Sequence, residues 1–286
     1  MKEYKDVMSK PDSIVPLGRG SLIQHGKQND RIYLMKLAEE DVTLVFNEIS
    51  RLLALYDYSK VFCKVPAPVA PLFLAKGYML EGYIPAFYNG KTGAFFLSKF
   101  LKAERLSRLP KSQLETLYEV QQTPLKEKQF ILNSAYTVRK LNQKDIPQIT
   151  ALYAETCESY PFPIDNPDYI ADTMADHVQY FGAFNKGELA ALASSEVDPE
   201  AMNAEMTDFA TCKAHAGHHL SCLLLEMMEY EMQRQGITTL YTIARLESIA
   251  MNKTFVRFGF NYVGTLLNNT NIAGKIESMN LYYKHV

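Results

Sequence analysis

The sequence predicts an α/β protein built on a mixed sheet, and three observations carry that expectation. First, the elements read from residues 136–286 run in the order β-α-α-β-β-β-α-β-α-β-β. Second, AEMTDFATCKAHAGHHLSCLLLEMM takes a strand through a short loop directly into a helix. Third, LFLAKGYMLEGYIPAFYNGKTGAFFLSKFL echoes TFVRFGFNYVGTLLNNTNIAGKIESMNLYYKHV near the C-terminus. Both segments read helix, Gly, aromatic residue, strand, Asn-containing turn, strand, which points to a duplicated half-domain.

Residues 1–30 are polar and turn-rich, a strand or two joined by loops, and RIYLMKL follows as a strand. In AEEDVTLVFNEISRLLALYDYSK, the residues Val42, Val45, Phe46, Ile49, Leu52, Leu53 and Tyr56 form one helical stripe. Its first turn carries Glu39, Glu40 and Asp41, suited to the positive end of a helix dipole. After the strand VFCKV, Pro66, Pro68 and Pro71 open a helix through LFLAK that stops at Gly77. MLEGYIPAFY and GAFFLSKFL are strands around the turn NGKTG. Residues 106–135 are more polar and helical in pattern, a connector between residues 1–105 and a second domain over 136–286.

That second domain opens with the strand YTVRKL and a helix from Asn142, its cap, to about Glu158. The Pro-rich loop YPFPIDNP leads into the helix DYIADTMADH. QYFGAF and ELAALASSEV are strands joined at Asn185-Lys186-Gly187, and AEMTDFATC is the next strand. LSCLLLEMMEYEMQRQ is a helix that turns Leu220, Leu223, Leu224, Met227 and Met228 inward and stops at Gly236. TTLYTIAR is a strand, SIAMNKTFVRF a helix ended by Gly259, and two strands close the chain.

The bulk numbers narrow the function. A chain of 286 residues accommodates two domains of ~100–150 residues each. Its net charge of −2, without blocks of like charge, argues against a polyanion-binding surface, so no nucleic acid partner is expected. The longest apolar runs, LFLA and CLLL, are too short to cross a bilayer. Cys63, Cys157, Cys212 and Cys222 form no Cys-x-x-Cys pair and read as free thiols in a reducing compartment. A cytoplasmic location is expected, and homodimerisation stays open.

The strand-loop-helix junction around Gly217 presents unpaired amides at the positive end of a helix, an arrangement that binds a pyrophosphate without dedicated cations. An ordinary β-to-α connection is the competing reading. The order of elements over 136–286 resembles the GNAT acyl-CoA N-acyltransferase fold from end to end, and the N-terminal domain reads as a partial, degenerate GNAT half. The family loop reads Gln/Arg-x-x-Gly-x-Gly/Ala. Here the matching positions are Ala214, Gly217 and His219, with Ala216 where the family usually keeps Arg. Only Gly217 matches. The first copy of the repeat has no glycine loop feeding a helix, so no cofactor is expected there.

The tail carries TIAR, S-x-x-MN-x-TF-x-R-x-G, Y-x-GTL-x-NNT and ESMN-x-x-YK segments, and upstream stand AEMTDFAT and KVPAPVAPLFLAKGYMLEGYIPAFYNG. On these segments nearly the entire chain resembles the beta-lysine N-acetyltransferases. The resemblance implies transfer of an acetyl group from acetyl-CoA to a small amine, with N-epsilon-acetyl-beta-lysine, a compatible solute, as product. It implies coenzyme A contacts along Phe209, Ala210, Thr211, Cys212, Ala214, His215, Ala216, Gly217, His218, His219, Leu220 and Ser221, with Asn252 and Phe255 on the later helix.

Acetyl transfer needs an amine stripped of its proton, and a lysine-type amine holds that proton up to a pH of about 10.4. Glu205 matches the place where some GNAT enzymes keep a general-base glutamate. Asp208 on the same strand could share that role or hold the substrate ammonium; the alternative for both is a solvated strand-edge carboxylate. Aligned on Gly259, the family's usual acidic tyrosine falls on Phe255, so Tyr262, Tyr241 or water would protonate the leaving thiolate. Arg245 could pair a substrate carboxylate. Asn268, Asn269, Thr270, Glu277, Asn280 and Tyr283 border the expected cleft, although NNT is also an ordinary turn sequence.

Cys212, His215, His218 and His219 lie within eight residues but straddle a strand end and a helix start, so their side chains should diverge and no metal is expected. Two other functions remain to be weighed. One is a non-catalytic acyl-CoA-binding regulatory module; the other is acetylation of a different amine, such as a polyamine or a peptide N-terminus.

Overall fold

The computed structural model describes residues 11–125 and 135–286. Part of the expected connector, residues 126–134, lies outside the described residues, as does the polar start of the chain. The described strands form one 13-stranded sheet in the order β1-β2-β3-β4-β6-β5-β12-β13-β11-β10-β9-β8-β7.

The second half is built from β7 (Thr137–Lys140), α4 (Ile146–Thr156), α5 (Pro167–Asp176), β8 (Val178–Asn185), β9 (Glu188–Asp198), β10 (Asn203–Thr211), α6 (Leu220–Arg234), β11 (Thr239–Arg245), α7 (Ile249–Arg257), β12 (Asn261–Ile272) and β13 (Lys275–His285). The element order matches the sequence reading throughout. At the entry of α4 the Asn142 side chain accepts from the Lys144 amide while Asp145 accepts from the Asn142 amide, so two orphan donors are satisfied reciprocally.

The first half runs β1 (Ser13–Leu17), β2 (Ser21–Gly26), β3 (Arg31–Lys36), α1 (Val42–Leu55), β4 (Lys60–Pro66), α2 (Ala70–Ala75), β5 (Met79–Tyr88) and β6 (Thr92–Phe100). Its strand order repeats that of the second half, without counterparts of β7, α4 and α5. In each half a helix crossover makes one parallel pair, β3–β4 and β10–β11, and the final strand inserts beside the second member of that pair. The repeated segments therefore occupy equivalent places, α2-β5-β6 and α7-β12-β13. Helix α1 ends at Leu55, earlier than the stripe suggested, and Tyr56 is already extended.

Asp41 shows how the copies diverged. It stands at the N-terminus of α1 and its carboxylate accepts from the Arg19 amide and the Ser21 hydroxyl. A fixed anion thus occupies the helix end that corresponds to α6 of the second half.

The halves meet where β5 pairs with β12 at Gly82 and Gly264. A Cβ at 264 would lie 1.8 Å from the Glu81 carbonyl oxygen, so only glycine permits this approach. Beside it the buried Lys60–Glu81 ion pair bridges the seam. Glu81 accepts from the Leu267 amide at 2.6 Å, and Lys60 donates to the Leu267 carbonyl at 2.7 Å. With each charge answered by a partner and by backbone, the pair avoids an uncompensated buried ion.

Helices α6 and α7 cover one face of the second half's sheet, burying Leu223, Leu224, Met228 and Phe255. Between residues 106 and 135, α3 (Lys111–Gln121) lies against α7, and Gln121 reaches the Tyr282 hydroxyl. A separate aromatic core joins the halves: Tyr33, Phe62, Phe87 and Phe96 of the first pack with Tyr241, Leu266 and Leu281 of the second. β3 and β11 both contribute to it although five strands lie between them in the sheet order, so the twisted sheet curves around this core.

Candidate active site between the two halves

Strand β10 decides the geometry. It pairs in parallel with β11 only from Asn203–Thr239 to Glu205–Tyr241, whereas its other edge stays paired with β9 as far as Thr211. Beyond Glu205 the edge of β10 toward β11 is therefore unpaired, and an open strand edge offers amides and carbonyls to an extended ligand. A bulge between Thr207 and Ala210 places Asp208 at φ 55°. Its carboxylate accepts from Ser194 Oγ at 2.5 Å and from the Tyr160 hydroxyl. Such bulges re-aim a side chain at a functional site.

Glu205, Asp208 and Glu196 all open into a cavity of 480 Å³ between the halves. The second half also contributes Tyr160, Phe162, Thr207, Tyr241, Ile243 and Asn269. The first half supplies Arg31, Tyr33, Phe62, Lys64, Phe87 and Tyr88. Lys64 Nζ donates to the Tyr241 hydroxyl at 3.0 Å. The Tyr160-Pro161-Phe162 loop is strapped to the first half, since Gln28 donates to the Tyr160 carbonyl and Gln24 to the Pro161 carbonyl.

The electrostatics follow from this enclosure. Burial pushes the Glu205 carboxyl above the usual carboxylate range, against the downward pull of Lys64 and a hydrogen bond with the Tyr241 hydroxyl. Glu196 is pushed well above that range by burial and by the Glu205 and Asp208 charges. Asp208 is also raised by burial, opposed by its Ser194, Tyr160 and Thr207 hydroxyl partners. Burial lowers Lys64, opposed by the Glu205 and Glu196 charges. A carboxylate whose proton affinity is raised toward neutrality is a competent general base.

The loop after β10 is exposed from Lys213 to His219 apart from half-buried His215. Gly217 has φ 82° and His219 φ 56°. Among the described residues, no acceptor takes the amides of Gly217, His218, Leu220 or Ser221. These donors cluster where α6 begins, so the loop fits a diphosphate held by main chain alone. Six residue steps run from Glu205 to Thr211, about 20 Å of strand, so a cofactor anchored at the loop would lie along the open β10 edge toward Glu205.

The structure distributes the sequence-predicted residues unevenly. Glu205, Asp208 and Asn269 line the cavity. Phe209, Thr211 and Cys212 follow on the strand and its exit, while Ala214, His215, Ala216, Gly217, His218, His219 and Ser221 form the loop and helix start. The side chains of Ala210 and Leu220 point into the cores, leaving only their main chain for a ligand. His215 Nδ1 bonds the Tyr136 hydroxyl at 2.9 Å, away from Cys212, which approaches Glu155.

Several expectations are corrected. Asn252 is 1% exposed; its amide donates to the Arg245 and Ser248 carbonyls and accepts from Asn280 and Tyr282, so nothing remains for a cofactor. Asn280 is consumed in the same network and by Thr265. Phe255, 1% exposed, packs edge-on to Phe209 and Phe260 inside the core. Arg245 is already paired bidentately with Glu277 at 2.9 and 2.8 Å, which removes both as open substrate contacts. Asn268 ties β12 to the Glu104 and Arg105 carbonyls and Ser107. Tyr262 packs against the α6–α7 core with its hydroxyl on Thr265, outside the cavity. Tyr283 supports the aromatic core without lining the cavity.

Sequence reasoning missed Lys64, Glu196, Arg31, Tyr33 and Tyr160. For Lys64 and Arg31 the strand pattern carried a signal: both are charged residues in largely apolar strands of a half to which no site was assigned.

A strand parted from its parallel neighbour, a glycine loop of free amides and a buried carboxylate on that strand define an acyl-CoA N-acyltransferase architecture. The profile of the Acetyltransferase (GNAT) family matches residues 147–260. A beta-lysine N(6)-acetyltransferase of Methanococcus maripaludis is 37% identical over 265 residues, covering 92% of this chain and 96% of its own. The N-acetyltransferase YodP of Bacillus subtilis is 29% identical over 76% of this chain and 78% of its own. A beta-lysine N(6)-acetyltransferase of Methanosarcina mazei is 33% identical over 53% of this chain and 56% of its own. The chain belongs to the GNAT acetyltransferase family, and it is an N-acetyltransferase.

Proposed function

We propose that this enzyme transfers the acetyl group of acetyl-CoA to the terminal amino group of beta-lysine. The observation that carries the reading is the cavity between the halves, which sets Glu205, Glu196 and Asp208 opposite Lys64 and Arg31. A substrate with two ammonium groups and one carboxylate needs a site with charges of both signs. Polyamines, which carry only positive charge, would leave Arg31 without an anion here. The Tyr160–Phe162 loop, tied to the first half, forms part of the cavity wall. The names of the Methanococcus and Methanosarcina relatives point to the same substrate.

In this mechanism acetyl-CoA supplies a thioester carbon open to direct attack. The amides of Gly217, His218, Leu220 and Ser221 would hold its diphosphate, and the open β10 edge would receive its arm. Glu205 removes a proton from the incoming ammonium, directly or through one water, which frees the lone pair for attack. Asp208, fixed by Ser194 and Tyr160, holds the substrate's positive charge. The thiolate is a stable leaving group and takes its proton from water, since Tyr262 faces the other core. A cytoplasmic setting fits the four free thiols. Among the described residues no helix is long and apolar enough to cross a membrane.

The test is to incubate the purified protein with acetyl-CoA and beta-lysine, follow thiol release, and locate the acetyl group by NMR. Terminal acetylation with one thiol released per product is expected. Thiol release with polyamines but not with beta-lysine would overturn the substrate assignment.

A further inference from the structure

Two arginines of this molecule are used in opposite ways. Arg245 turns its Nε–Nη2 edge to Glu277 and is bridged bidentately. Arg31, on β3, is 4% exposed and lines the cavity. Its Nη1 donates to the Asn269 carbonyl at 2.5 Å and to Thr270 Oγ1 at 3.1 Å. Among the described residues, its Nε and Nη2 meet no acceptor and no carboxylate stands within ion-pair distance; Nε is fully buried without a partner. The guanidinium is held from behind by the faces of Tyr33 and Phe62, 5.1 and 5.9 Å from the ring centroids. A buried cation whose bidentate edge is unanswered is expensive unless an anion completes it.

We propose that Arg31 is the specificity residue that receives the substrate carboxylate, through the Nε–Nη2 edge it leaves open. This rests on the acetyl-transfer reading of the same cavity and extends it to the substrate class: a diamino acid rather than a diamine. The spacing agrees. Tyr33 follows Arg31 on the same face of β3, about 7 Å further along, and its hydroxyl lies within electrostatic reach of Glu205. Six bonds separate the carboxylate carbon of beta-lysine from its terminal nitrogen, so a ligand pinned at Arg31 and laid over Tyr33 brings that nitrogen toward Glu205. Asn269 Oδ1, buried beside Arg31 and also without a partner among the described residues, is placed to accept from the ammonium three bonds from the carboxylate carbon. The first half of the duplicated fold has thus become a substrate-recognition element.

The experiment compares beta-lysine with 1,4-diaminopentane, the same molecule without its carboxylate, in the native protein and in Arg31→Met and Arg31→Lys. The native enzyme should prefer beta-lysine. In Arg31→Met, kcat/KM for beta-lysine should fall on the order of 100-fold, mainly through KM, as expected for a lost charge-assisted fork. The rate with the diamine should hold or rise, and Arg31→Lys should recover only part of the preference. Retained diamine activity shows that the variant is folded. An unchanged preference in Arg31→Met, or an equal loss with both amines, would overturn the role of Arg31 while leaving the acetyltransferase reading intact. Should the native protein acetylate neither amine, calorimetry with beta-lysine decides: binding abolished by Arg31→Met supports the subsite, and equal or absent binding rejects it.

Discussion

Lys64 on β4 donates to the Tyr241 hydroxyl on β11 at 3.0 Å, across the cavity that separates the two halves of the fold. The Lys64 charge pulls the Glu205 carboxyl down while burial pushes it up. The half without a cofactor loop therefore helps set the proton affinity of the base in the other half.

Removing that charge should be visible in the pH profile. With Lys64→Met, the pull on Glu205 is gone and burial acts unopposed by the cation, so its proton is held to higher pH. Because the base works only when deprotonated, the acid limb of kcat/KM should move upward, with kcat/KM at neutral pH falling roughly tenfold. Steady-state rates across pH measure this; a limb that stays in place would show that Lys64 does not act on Glu205.

The pyrophosphate loop lends itself to a gain of function. Ala216 is exposed beside Gly217, at the position where the family usually keeps arginine. Ala216→Arg should lower the KM for acetyl-CoA about threefold to fivefold, as one exposed charge pair allows. That gain should fade as salt is raised. The KM for the amine should not change. A salt-independent effect, or none, would place the diphosphate elsewhere.

At the seam, Gly264→Ala forces a methyl group against the Glu81 carbonyl oxygen. The loss of stability should be about 3 kcal/mol, read as a lower urea midpoint. A midpoint equal to that of the native protein would mean the strands do not approach so closely.

Much of this was legible in the chain. The order of elements and the Gly217 loop before α6 located the second half's site strand, and Glu205 could be singled out because it stands on that strand where the resemblance to GNAT enzymes places a general-base glutamate. The repeat of α2-β5-β6 in α7-β12-β13 was legible because turn and junction residues recur at matching places. The cavity was not legible, since its walls come from β3, β4, β10 and β11, brought face to face by the curl of the sheet. Lys64 is a charge within the otherwise buried strand β4, but nothing nearby in sequence shows that it faces Glu205 and Tyr241. Asn252 read as a coenzyme A contact because nothing nearby in sequence announces that Arg245, Ser248, Asn280 and Tyr282 close around it. Arg245 looked free for a substrate because Glu277 lies 32 residues away.

The central claim is that Glu205, buried between the halves, takes the proton from the attacking amine. Glu205→Gln keeps the shape of the side chain and removes its basicity, so the pH–rate profile of this variant, followed by thiol release, is the direct measurement. A drop in kcat of roughly 10²–10⁴ with loss of the acid limb is the predicted result. A variant that turns over at the native rate with the native pH profile would contradict it.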